Sequence, residues 1–519
     1  MSTIAKAAPL MKGVAPLIIF GFAAHAIIAA VNMLTIPVYI RVIGLDGYGL
    51  VGIYFVLQDW TLILDLGVGA TVGRQLSRFR AGALSAQEAV SLFGVAEALF
   101  LLIGAVVGLA GLLSIKWVVD SWLGATHLHR SEVQIALRLA LCLWLVRCIN
   151  ARYQIALIGL NRQIATNIVA IIGVLMRNGG SVWALLNISR SPETFFTIWL
   201  MSNVAEASAN RWLLARAMPG GHFSSRLGWR LLSADFALAI GFTVSTIVGT
   251  LISQLDNIAL SHTLPMAAFG EFSLVISICG GVALIVPPIA QACQPRLTLL
   301  LAQDRRVEFI EFYRLTKAII IVAAFGLFGT IAAQPEMVIY AWTGNYDMAN
   351  KLALTLTLFA SGSALAAFLY VPFILQIAMG EIRLHVIGIS IFGAFWIPLS
   401  IWSALTFGTV GAGFVWLAGN LIYLLIWLPI IYRVLLSSRE RRGLNVNTWL
   451  RLLVLSLILA ATRVLESWQF DRWVSLTLLV FIGSGIMGFA AVSSPDIRCY
   501  LAEMAGQYRR SQDNGGAAP

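Results

Sequence analysis

From residue 16 to residue 493 the sequence is a succession of apolar stretches of about 20 residues, separated by short polar connections. Each stretch is long enough to cross the ~30 Å hydrocarbon layer as a helix. Backbone in hydrocarbon must satisfy its own hydrogen bonds, so only helices and closed barrels can span it. The strands of a barrel would read as ~10-residue segments of alternating character, whereas these runs are continuous. The expected fold is therefore an all-α polytopic membrane protein. Composition agrees, because 59% of the 519 residues are hydrophobic and 11% are charged, too little charge to cover a water-facing surface.

Fourteen transmembrane helices are expected, near 16–40, 47–72, 88–113, 135–157, 164–188, 194–215, 234–256, 269–291, 317–334, 353–377, 384–405, 410–432, 450–466 and 473–493. Behind Lys6 and Lys12 the first apolar run continues through Ile40, too long for a cleaved signal segment, and reads as an uncleaved span. The net charge of +11 raises the question of nucleic acid, but the placement of the charge answers it. Arg74, Arg78 and Arg80, then Arg152 and Arg162, then Arg211, Arg216, Arg226 and Arg230 collect on even-numbered connections. Arg296, Arg305, Arg306, Arg314 and Lys317 follow, then Arg439, Arg441 and Arg442. With both termini cytoplasmic, roughly 25 of the 35 Lys and Arg residues fall inside and about 8 outside, the signature of topology rather than of a nucleic-acid partner. The five cysteines lie in spans or at their cytoplasmic ends, so neither a disulfide nor a metal cluster is expected.

A weak internal repeat is present. Tyr48-Gly49 opens the second span, and Phe269-Gly270 stands in the same relation to the eighth. The basic exits at Arg74 and Arg296 recur within one position of the same offset. Two pseudo-symmetric six-helix lobes, 1–220 and 221–435, with two appended helices and a cytoplasmic tail in 436–519, account for it; chance similarity of apolar sequence is the alternative.

The polar residues of the spans line up at helical spacing. In the second span Gln58, Thr61, Asp65 and Gly69 share a side, with Asp59 about a quarter turn away. The fourth carries Arg147, Asn150 and Gln154; the fifth Thr166, Gly173, Arg177 and Ser181; the sixth Ser202, Asn203, Glu206 and Asn210. A lipid-facing Arg or Asp near mid-bilayer costs at least ~2.5–3.5 kcal/mol, so these groups argue for an interior, watered cavity in which Asp65 neighbours Arg147, Arg177 and Glu206. The alternative for Asp65 and Arg147 is a structural ion pair, and for Arg177 a pairing with a backbone carbonyl or with Glu206. Asp59, off the main face, also reads as structural, and Asp256, near the external end of the seventh span, as a hydrated group. Pro287-Pro288 and Pro372 predict kinks.

No catalytic constellation stands out. The sequence has no GxxxxGK[ST], no HExxH, no paired CxxC and no connection much longer than about 20 residues. An enzyme is not expected, no cofactor is implied, and transport would draw on an ion gradient or on consumption of the product.

The run "IPVYIRVIGLDGYGLVGIYFVL" leading into "LDLGVGATVGRQLS" resembles the start of polysaccharide flippases of the Wzx type, in the multidrug/oligosaccharidyl-lipid/polysaccharide (MOP) exporter superfamily. The matching residues are the Gly47-Tyr48-Gly49 turn and then Asp65, Gly67 and Arg74, echoed in the second half by Asp256 and Gly270. The resemblance implies a MATE-like fold in a bacterial inner membrane. It also implies a flippase moving an undecaprenyl-pyrophosphate-linked oligosaccharide outward by alternating access, among membrane lipids and beside a polysaccharide polymerase and chain-length regulator. On that reading Arg147 and Arg177 grip phosphate, and Asn150, Gln154, Asn203 and Asn210 bond sugar hydroxyls. Asp65 and Glu206, with Asp59 and Asp256 as further candidates, act as ion-coupling sites or counter-charges. The rivals are a cation-coupled multidrug exporter of the same fold, a lipid II flippase, which the two extra helices would suit, and a membrane-embedded glycosyltransferase.

Overall fold

The computed structural model describes residues 4–65, 67–124, 126–218, 220, 222–234, 236–283, 286–464 and 470–502. Eighteen α-helices and no strand occur among them. The first ten are α1 Ile4–Asp59, α2 Thr61–Leu64, α3 Val68–Arg80, α4 Ala86–Trp117, α5 Arg130–Gly159, α6 Gln163–Asn187, α7 Pro192–Ala217, α8 Ser225–Ala234, α9 Phe236–Thr263 and α10 Met266–Ala283. Then come α11 Val286–Ala302, α12 Arg306–Ala333, α13 Pro335–Thr343, α14 Tyr346–Ala378, α15 Ile382–Ile422, α16 Leu428–Leu435, α17 Ser438–Thr462 and α18 Arg472–Ser493. Seven segments among the described residues are long and apolar enough to span a bilayer. One of them, Ile382–Leu435, holds two of the expected spans, divided at Gly408, whose φ is 63°. Long rows of exposed apolar side chains, such as Leu102, Val106, Leu109 and Leu113 on α4, belong to a multi-pass protein whose outer solvent is lipid.

The chain divides into two compact units, residues 1–277 with 389–408, and 278–388 with 409–519. In the first, α1 is two helical limbs joined at Gly44, whose φ of 73° and ψ of 175° suit a residue without a side chain. The expected second span, 47–72, is not one helix. Its limb ends at Asp59, α2 is a single turn, and Gly67 takes a left-handed φ of 73° before α3 begins. Asp59 and Asp65 therefore sit at the ends of an interrupted helix and do not share one continuous face.

The second limb of α1 crosses α10 where both backbones come close. A Cβ on Gly49 would stand 2.6 Å from the Met266 carbonyl oxygen, and one on Gly270 would strike the Leu45 carbonyl and lie 3.2 Å from the Gly49 nitrogen. The buried Tyr48 hydroxyl reaches Ser277 Oγ across the same crossing at 3.0 Å. The two glycines of the sequence repeat thus face one another, a small-residue contact of the kind that lets helices pack without a hydrophobic driving force.

In the second unit the core is built from α12, α14, α16, α17 and α18, with Phe309, Tyr313, Leu375, Ile431 and Leu459 among its buried side chains. The helix α14 continues through Pro372, which stands inside it. The kink expected at Pro287-Pro288 adjoins residues 284 and 285, outside the described residues. Both appended helices are tied down at their polar ends. Arg306 donates to Glu440 Oε1 (2.9 Å) and to the Leu435 carbonyl (3.1 Å), and Arg472 donates to the carbonyls of Ala341 (3.0 Å) and Trp342 (2.8 Å). Glu440 also accepts from the Ser437 amide at 2.7 Å, closing a capping box on α17.

Gly270→Leu is expected to destabilise the protein by about 1–3 kcal/mol or more, because neither facing backbone can retreat without separating the helices. Thermal unfolding in detergent measures it, and an unchanged midpoint would mean that the crossing is loose. Glu440 lies in the polar first turn of α17, outside the apolar stretch. The hydrogen bond from Arg306, and then those from Ser437, hold its carboxyl down at about 2. A depressed carboxyl stabilises the fold above its unfolded pKa, near 4.5, and loses that effect as pH falls towards 2. The stability difference between wild type and Glu440→Gln, at most about 1 kcal/mol after solvent screening, should hold steady above about pH 4.5 and narrow below it.

Candidate functional site

On α7, Ser202, Glu206 and Asn210 recur every fourth residue and face inward together. The facing residues of α5 are Asn150 and Gln154, and those of α6 are Thr166, Gly173, Arg177 and Ser181. Glu206 Oε1 accepts from Asn150 Nδ2 at 3.0 Å and from Gln154 Nε2 at 3.2 Å. Behind them Asn210 donates to Asn150 Oδ1 (2.9 Å) and Thr166 to Asn210 Oδ1 (3.2 Å). Every donor in this chain points towards the carboxylate, so the amide dipoles add up on a group that is largely buried.

The other oxygen, Glu206 Oε2, faces Arg177 Nη1 at 3.9 Å, beyond hydrogen-bond range. Gly173 makes room for it: a Cβ there would lie 2.5 Å from Oε2. Arg177 is 6% exposed, and its guanidinium stacks on Trp199 at 5.0 Å. Arg177 Nε has no hydrogen-bond partner, and Ser181 Oγ, Trp199 Nε1 and the Tyr54 hydroxyl make no hydrogen bond of good geometry, although Tyr39 stands beside Ser181 and Trp199, and Arg147 beside Tyr54. Tyr54 and Trp199 pack edge to face, 5.8 Å apart. All four atoms can donate, and two of them can only donate. Buried polar groups are as a rule satisfied, so this corner of the bundle carries a surplus of donors that an acceptor-rich ligand would meet. The half-buried Arg147 is within electrostatic reach of both Arg177 and Tyr54 and adds a second cation.

The remaining expected residues lie elsewhere. Asp65 does not meet Arg147, Arg177 or Glu206; its partner is Arg152, which stacks over Phe100 at 3.8 Å. Asp65 Oδ1 also accepts from the Gly69 amide at 3.2 Å, a carboxylate at the N-terminus of α3. Asn203 turns back to the Trp199 carbonyl of its own helix (2.8 Å) and takes no part in the cluster. Asp59 accepts from Gln254, which in turn accepts from Asn257 at 2.9 Å. Asp256, two residues from Gln254 and so on the far side of α9, is buried and accepts the Asn257 amide at 2.8 Å.

Three further residues matter here. Arg152, expected among the topology arginines, is the partner of Asp65. Trp199 carries no polar spacing signal, though it lies four residues before Asn203. Asn178 binds α1 to α6, accepting from Thr35 (2.9 Å) and Tyr39 (2.8 Å) and donating to Asn32 Oδ1 (3.0 Å). Its signal was Asn32, a polar residue on the first span that needed a partner.

No family model matches the chain, and no curated protein matches it in sequence. Solved structures do resemble it in three dimensions. The lipid II flippase MurJ, in an inward closed conformation, superposes with a TM-score of 0.64 at 12% identity, over 91% of this chain and 97% of that one. An inward-facing MATE-family multidrug resistance transporter of the MOP superfamily gives 0.63 at 14% identity, over 82% and 99%. A MOP superfamily transporter from Pyrococcus furiosus, noted for the reverse polarity of its binding pocket, gives 0.57 at 16%, over 80% and 95%. The fold is MATE-like, and these structural neighbours are transporters and flippases.

Asp65→Ala leaves Arg152 buried without its counter-charge and is expected to cost about 3–5 kcal/mol, with much of it recovered in Asp65→Ala/Arg152→Met. Thermal unfolding of the two variants in detergent tests this; a single variant as stable as wild type would place the pair outside the load of the fold.

Proposed function

We propose that the chain is a flippase that carries an undecaprenyl-pyrophosphate-linked oligosaccharide across the bacterial inner membrane by alternating access, for exopolysaccharide or O-antigen synthesis. The observation that carries this reading is the surplus of buried donors around Arg177, with Arg147 beside it. A pyrophosphate supplies acceptor oxygens for Arg177 Nε, which has none, and for the donors of Ser181, Trp199 and Tyr54, which make no well-aligned hydrogen bond with their neighbours Tyr39 and Arg147. Sugar hydroxyls, which both donate and accept, suit the amides of Asn150, Gln154 and Asn210. Glu206 is the counter-charge, held 3.9 Å from Arg177, close enough to compete with a bound phosphate and so to favour release. A cationic drug would be repelled by the same two arginines, which weighs against multidrug export.

The transporting body is the proposed pair of lobes, 1–220 and 221–435, with 436–519 appended and both termini cytoplasmic. Ion coupling falls to Glu206, Asp59 and Asp256, with Asp65 engaged by Arg152. A polysaccharide polymerase and a chain-length regulator would act on the exported unit. Lipid II is a second reading, favoured by breadth of likeness: 91% of this chain is covered by the lipid II flippase against 82% by the MATE transporter.

Proteoliposomes holding fluorescent undecaprenyl-pyrophosphate oligosaccharide in one arm, and lipid II in the other, separate these readings. Wild type is expected to flip the oligosaccharide. Arg177→Ala should slow it by about 10- to 100-fold, the worth of one or two charge-assisted hydrogen bonds, with insertion unimpaired. Flipping of lipid II alone favours the second reading, while uptake of a cationic dye with no flipping of either would overturn both.

A further inference from the structure

The helix α7 has a second face. Opposite Glu206 and Asn210 it exposes Met201, Val204, Ser208, Trp212 and Ala215. Between that face and Val146, Ile149 and Tyr153 of α5 runs an open groove of 480 Å³. Its walls are apolar over most of their length, and its basic end is defined by Arg211 and Trp212. The Arg216 guanidinium lies 3.9 Å over the Trp212 ring. Arg211, half exposed, approaches Glu97 through Nε at 3.4 Å, and Glu97 is also held by the Tyr153 hydroxyl at 2.9 Å. Two exposed guanidinium groups against one carboxylate leave this end of the groove positive.

We propose that the groove is a binding site for one anionic phospholipid of the surrounding bilayer, with an acyl chain along Val146, Ile149, Val204 and Ala207 and the phosphate between Arg211 and Arg216. The dimensions support a single leaflet. From Val204 to Ala215 the helix rises about 16 Å, half of the ~30 Å hydrocarbon core. The indole of Trp212 stands where an aromatic ring prefers to sit, at headgroup level between chain and charge. Charge complementarity selects the headgroup: a zwitterionic lipid brings its own cation to two arginines, whereas an anionic one does not. The site is separate from the Arg177 cluster, since the two occupy opposite faces of α7, so it stands or falls independently of the transported substrate. A lipid seated there would brace α5 against α7 along the side opposite to the buried carboxylate.

The test is native mass spectrometry of the full chain after exchange into vesicles of phosphatidylglycerol or of phosphatidylcholine. Wild type is expected to retain one phosphatidylglycerol and to hold it about thirtyfold more tightly than Arg211→Gln/Arg216→Gln does. Because Arg211 also meets Glu97, the exposed Arg216→Gln serves alone should the double variant fail to fold, with about a fivefold loss expected. Ser208→Trp fills the groove without touching any charge and should release the lipid as well. Equal retention of both lipids by wild type, or undiminished phosphatidylglycerol in Ser208→Trp, overturns the proposal.

Discussion

A carboxylate largely removed from water has to be solvated by something, and in this protein the side-chain amides of Asn150 and Gln154 on α5 do this for Glu206. Losing that solvation costs several kcal/mol per ion, so the relative rotation of α5, α6 and α7 is not free. Asn150 and Gln154 must point at one carboxylate oxygen. Asn210 and Thr166 must orient Asn150 in turn, and Gly173 must leave room for the other oxygen. Move any one of these helices by a third of a turn and a charge is stranded in a low-dielectric interior. The apolar packing of the bundle tolerates many rotations; the polar chain selects among them.

Two ion pairs among the described residues of the first unit are built differently. Asp65 and Arg152 are in direct contact, with Phe100 over the guanidinium and the Gly69 amide on the carboxylate. That arrangement consumes the charges and secures the interruption between α2 and α3. Arg177 and Glu206 are held apart at 3.9 Å, each stabilised mainly by neutral neighbours, Trp199 on one side and the amides on the other. A pair of this second kind keeps its unused donors available, and that is the physical difference between a clamp and a site.

Periodicity made part of this legible. The inward face of α7 through Glu206 and Asn210, and that of α5 through Asn150 and Gln154, followed from four-residue spacing. Asn203 lies on that same face, seven residues before Asn210, and is buried, yet its amide turns back to the Trp199 carbonyl, a choice of side-chain rotamer that residue spacing does not set. Arg152 differs from its expected role in the direction of its side chain. A basic residue in the last turns of an apolar run reads as an anchor reaching for the headgroups, but the Arg152 side chain turns into the bundle to Asp65 and stacks over Phe100, a direction that position in the run does not set. The interruption from Trp60 to Gly67 was hidden as well. Spacing arguments assume one unbroken helix, and Gly67, one glycine among 45, does not announce that it will turn left-handed.

The sequence repeat acquires a physical meaning from the helix crossing. Tyr48-Gly49 and Phe269-Gly270 are similar and lie against one another, with a Gly270 Cβ position 3.2 Å from the Gly49 nitrogen. Where two backbones cross this closely, the demand for a missing side chain falls on both partners at once. An aromatic residue beside each glycine then fills the space flanking the contact: Tyr48 and Phe269 are both buried, and Tyr48 closes it with a hydrogen bond to Ser277. A repeat that would be weak evidence of ancestry on sequence alone is thus explained by one reciprocal constraint. The same constraint holds the limb of α1 that ends at Asp59 against α10 through a pair of glycines more than two hundred residues apart in the chain.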